Sequence, residues 1–104
     1  MDLFERTKDE FRHRQAEFLT RELKTCSLYL DLAYKSHEKG DRTSTARAIA
    51  YAEDGYATVF RFLSDPQDSK CLTIKATQEF TVKMEGLRKT LDGLQRFREV
   101  ADGA

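Results

Sequence analysis

Few residues in this chain have the types and spacing that could do chemistry. Glu10 and His13 stand three apart, the spacing that di-iron carboxylate sites use on the helices of a bundle. Such a site needs a second pair and two further carboxylates. The only other histidine, His37, follows Tyr34 by three residues, so the second half is missing. Asp9, His13 and Glu17 recur every four residues and would stack along one helix face, as a minimal metal-ligand set does. The same spacing is ordinary for a solvated face held by ion pairs. No metal and no cofactor is therefore expected.

Glu53 is the odd residue of the middle segment. It interrupts the apolar row Ala46, Ile49, Tyr56, Phe60 and Leu63, where a large apolar side chain would be expected. A carboxylate buried there needs a partner, and Arg21, Arg47 or a tyrosine could supply one. At the rim of the helix it would need none. Tyr29, Tyr34, Tyr51 and Tyr56 fall near the contact of the first two helices. Tyr29, Tyr51, Glu53 and Tyr56 together are the candidate ligand-binding residues, an aromatic wall with one charge. Cys26 and Cys71 form no CxxC pair; they read as small apolar residues on helices.

No nucleotide-binding, zinc-protease, nucleophile-elbow or calcium-loop motif is present. Gly40-Asp41-Arg42-Thr43-Ser44 lacks the second glycine and the lysine of a phosphate loop and reads as a link between helices. Leu32-Ala33, Gly40-Asp41 and Ala52 loosely resemble a tetratricopeptide helical hairpin. Thr45 stands where that repeat wants a small residue, the first helix is too long for it, and no second repeat follows. The chain is not read as a repeat protein, and no enzyme activity is expected.

What positions these residues is helix. The 104 residues contain one proline and five glycines, and 35% are charged. Mean hydropathy is −0.67. Eighteen basic residues balance eighteen acidic ones, and both signs are interspersed along the chain. A nucleic-acid binder shows a basic excess or stripe, so that class is excluded, and no apolar run reaches membrane-spanning length. The charged N-terminus lacks the pattern of a signal peptide, so a cytoplasmic protein is expected.

Gly40 and Pro66 divide the chain into helices over about 2–39, 43–64 and 66–100. The expected fold is a single all-α domain over 1–104, an antiparallel up-down-up three-helix bundle with long first and third helices. Leu19, Leu23, Cys26, Leu30 and Ala33 supply the core face of the first helix. Phe80, Met84, Leu87, Leu91 and Leu94 supply that of the third. The middle helix has two apolar faces and sits between its neighbours.

Helices of roughly 50, 30 and 50 Å cannot cover one another fully. Residues 1 to about 16 and those from about 89 onward should overhang at opposite ends. Phe4, Phe11, Leu91, Leu94 and Phe97 are then the candidate interface residues, since exposed apolar rows mark docking surfaces. The sequence points to an interaction or structural module that forms a homo-oligomer, most simply a dimer, or docks a protein partner. A small-molecule binding protein using the tyrosines and Glu53 is the alternative.

Overall fold

The computed structural model describes the backbone of residues 3–70 and 72–103 and the side chains of 10–67, 70 and 72–96. Four helices follow in order: α1 (Leu3–Glu38), α2 (Arg42–Ser64), the single turn α3 (Pro66–Ser69) and α4 (Ile74–Gly103). The three long ones pack up-down-up as an all-α three-helix bundle. The molecule measures 62 × 18 × 17 Å, a rod set by the length of α1.

Local chemistry explains each boundary. Gly40 adopts φ 76°, the left-handed region that glycine enters without steric cost. Around it Asp41 N–H donates to Ser36 O at 2.9 Å and Gly40 N–H to His37 O at 3.0 Å, closing α1 in a Schellman motif. Asp41 then caps α2: its carboxylate accepts from Ser44 N–H at 3.0 Å and from the Ser44 hydroxyl at 2.7 Å. The bond pair to Ser44 holds the Asp41 carboxyl below its ordinary acidity range. At the other end of α2, Asp65 is extended, as the residue before a proline must be.

The third helix departs from expectation at its start. Asp65 accepts from Gln67 N–H at 2.9 Å, but α3 stops after one turn. Thr73 then recaps a new helix by accepting from Ala76 N–H at 3.1 Å. The long helix α4 thus begins at Ile74, eight residues later than expected. At 1.5 Å per residue this draws α4 back by about 12 Å.

The core consequently forms two layers along the bundle. One holds Leu19, Leu23, Val59, Phe80 and Met84. The other holds Leu30, Ala33, Ala48, Ile49, Ala52, Leu91 and Leu94. Tyr56 and Leu87 pack against both. Leu91 and Leu94, expected on an uncovered overhang, are 1% and 0% exposed. They are core residues, because the late start of α4 places them level with the first half of α2. Their assignment to an interface is corrected accordingly.

Alanines and Gly55 let α2 lie close to α1. An ideal Cβ on Gly55 would fall 2.5 Å from Cys26 Sγ. Gly86 and Gly93 have open space where a Cβ would be, so no close helix approach accounts for them.

Candidate functional site

The overhang at the start of α1 is retained. Among the described residues of α1, Leu19 is the first buried one, and residues 10–14 are all exposed. The apolar side chains there face solvent: Phe11 is 50% and Phe18 41% exposed. The row continues beside the bundle. Seven residues separate Phe11, Phe18, Thr25 and Leu32, so they share one slowly winding face of α1. Leu32 is 50% exposed, and Leu28, one turn before it, 63%. Tyr29, three residues before Leu32, stacks on Tyr51 with ring centroids 5.1 Å apart. The side chains of Phe4 and Phe97 lie outside the described residues.

Spacing alone revealed the first part of this row as widely separated phenylalanines. Its continuation through Leu28 and Leu32, which the spacing leaves off the core face, was not read as part of the same row.

The four candidate ligand-binding residues do not converge. Tyr51 and Glu53, two apart on α2, project about 200° from each other. Tyr51 lies with Tyr29 on the seam between α1 and α2. Glu53 lies on the seam with α4, where its carboxylate accepts from the Gln95 side-chain amide. Tyr56 also faces α4: the Arg88 guanidinium sits 5.0 Å from its ring centroid, and Phe60 stacks on it at 6.2 Å. Arg88 in turn pairs with Asp92 at 2.8 Å. Neither Arg21 nor Arg47 answers Glu53. The setback of α4 brings Gln95 to it instead, a partner that depends on the unforeseen start of α4 at Ile74.

His13 Nε2 lies 3.0 Å from Glu17 Oε1 on the exposed overhang; the side chain of Asp9 lies outside the described residues. No group of three metal-ligating side chains forms among the described residues. Cys26 is a buried, unbridged thiol that donates to Ala52 O at 3.5 Å. Burial, and secondarily the Glu22 carboxylate, push its pKa up to about 11, so it is a poor nucleophile near neutrality.

A groove of about 850 Å³ lies between α1 and α4. Its floor includes Leu23, Leu30 and Leu87, and its rim carries Lys24, Asp31 and Lys83. The groove is open along its length and suits an elongated apolar body better than an enclosed small molecule. No helix among the described residues is long and apolar enough to cross a membrane. No family model, curated protein or solved structure matches the chain, so the functional reading rests on geometry alone.

Proposed function

We propose that this protein is a non-catalytic helical docking module that associates through the outer face of α1. The observation that carries this reading is the stretch of α1 ahead of Leu19, where among the described residues Phe11 and Phe18 are about half exposed and in register with exposed Leu32. A single helix held away from its own core has no reason of internal stability to display phenylalanine, whereas a docked helix would cover it. Light scattering on the purified chain tests this. Association that Phe11→Glu with Phe18→Glu abolishes, with helicity unchanged, supports the reading; one-chain mass at tens of micromolar, with no bound protein, removes it.

The groove between α1 and α4 favours one other reading, the binding of an elongated apolar ligand over Leu23, Leu30 and Leu87. An environment-sensitive apolar dye should then bind in the groove. Gly86→Leu, which places a side chain in the open space at its edge, should block it.

A further inference from the structure

Resting on that association, we infer that the occupant of the α1 face is a second copy of this chain, lying antiparallel along α1 with Phe18 on the two-fold axis. Two independent features set this register.

The first is steric. The packed body ends near Leu19, where Phe62, Leu63 and Leu72 close the lower core layer. When two copies run antiparallel along α1, each overhang slides beside the other's body until the two body ends meet. That happens when residue 18 of one chain reaches residue 18 of the other. The overhang of one copy then covers the outer face of α1 in the other.

The second is the spacing of the row. Seven residues fall about 20° short of two helical turns, so the row winds as a left-handed stripe that a second helix can follow at a small crossing angle. Turned about Phe18, the row matches itself. Phe18 meets Phe18, and Phe11 meets Thr25, a large side chain against a small one. Residues one place before the row fall on one flank, where Glu10 of each copy comes level with Lys24 of the other. This complementary pair forms twice. Nearer the axis, Glu17 of each copy comes close to Arg21 of the other and also to the other copy's Glu17. A parallel pair would lose the Glu10–Lys24 match and set Arg14 on Arg14 and Arg21 on Arg21, whereas the antiparallel register brings Arg14 of each copy level with Arg21 of the other, so the orientation rests on the Glu10–Lys24 match.

The area is adequate. Phe11, Phe18, Leu28 and Leu32, at the exposures given above, offer roughly 400 Å² of apolar surface per chain. That is about the apolar share of one side of a standard interface.

Charge reversal tests the register. Glu10→Lys should weaken the dimer by about tenfold, and Glu10→Lys with Lys24→Glu should restore it. Both side chains are exposed, so folding is not at stake. Orientation is read from a spin label on Asp31→Cys in a Cys71→Ser background, buried Cys26 being left in place. Antiparallel pairing about Phe18 puts the two labels about 40 Å apart. A dimer with short label distances, or one that the double reversal leaves weak, overturns the register while leaving association intact. A chain that stays monomeric overturns both.

Discussion

Gly55→Ala offers a sharp test of how α1 and α2 are packed. The new Cβ would lie 2.5 Å from Cys26 Sγ, while its next neighbours, both on Glu22, stand at 3.8 and 3.9 Å, an ordinary contact distance. The conflict is therefore with one atom. Sγ sits one bond beyond its own Cβ and is 1% exposed. It can move aside only by changing rotamer and giving up its contact with Ala52 O. Overpacking of this kind costs about 1–3 kcal/mol. Alanine recovers about 1 kcal/mol by its higher helix propensity, so the net change in the native background is a loss of about 1 kcal/mol. In a Cys26→Ala background the obstructing atom is gone and only the propensity gain remains. There Gly55→Ala should stabilise by about 0.5–1 kcal/mol. The sign of the substitution thus reverses between backgrounds, a coupling of about 1–3 kcal/mol in a double-mutant cycle. Urea unfolding followed by circular dichroism measures all four variants. If Gly55→Ala stabilises equally with and without Cys26, the close approach of the two helices is refuted.

Other consequences follow from the same geometry. Leu94→Ala should cost about 3 kcal/mol, as a fully buried leucine does, while Phe11→Ala should leave the unfolding midpoint of the isolated chain nearly unchanged; equal effects would return Leu94 to the surface. Asp41→Ala should lower the thermal midpoint and Asp41→Asn recover most of the loss, because either oxygen-bearing side chain can accept from Ser44 N–H. The capping contribution of Asp41 should be present above its ordinary pKa of 3.8 and fade as pH falls through its lower folded value, a loss absent from Asp41→Ala. For Cys26 the sign is opposite. The unfolded thiol ionises near 9 and the folded one near about 11, so the unfolded chain gives up its proton first and stability should fall across that window; Cys26→Ala should remove that part of the alkaline decline.

Much of the fold was legible because its signals are local. Gly40 and Asp41 announce the first turn, Pro66 the second, and the apolar rows of all three long helices are periodic over many turns. The second break was less legible. Pro66 at a helix start is a strong signal, and it masked Thr73, an equally sound cap seven residues later. That choice governs everything downstream on α4. It decides whether Leu91 and Leu94 are core or surface and whether Glu53 meets Gln95. The candidate pocket failed for a geometric reason: Tyr51 and Glu53 are close in sequence yet project from opposite edges of α2. The phenylalanines of the overhang were legible because α1 is longer than α2, a fact that segment lengths alone provide. Leu28 and Leu32 lie off the core face by spacing, but their exposure depends on which faces of α1 its neighbours take.

The central claim is that the exposed row on α1 is covered by a second copy of the chain. Sedimentation equilibrium over a range up to tens of micromolar tests it most directly, run on the native chain and on Phe18→Glu. The account predicts that the native mass rises with concentration from one chain of 12.0 kDa toward two, and that Phe18→Glu stays at one with its helicity intact. A native mass of one chain throughout, or a dimer indifferent to Phe18→Glu, would contradict it.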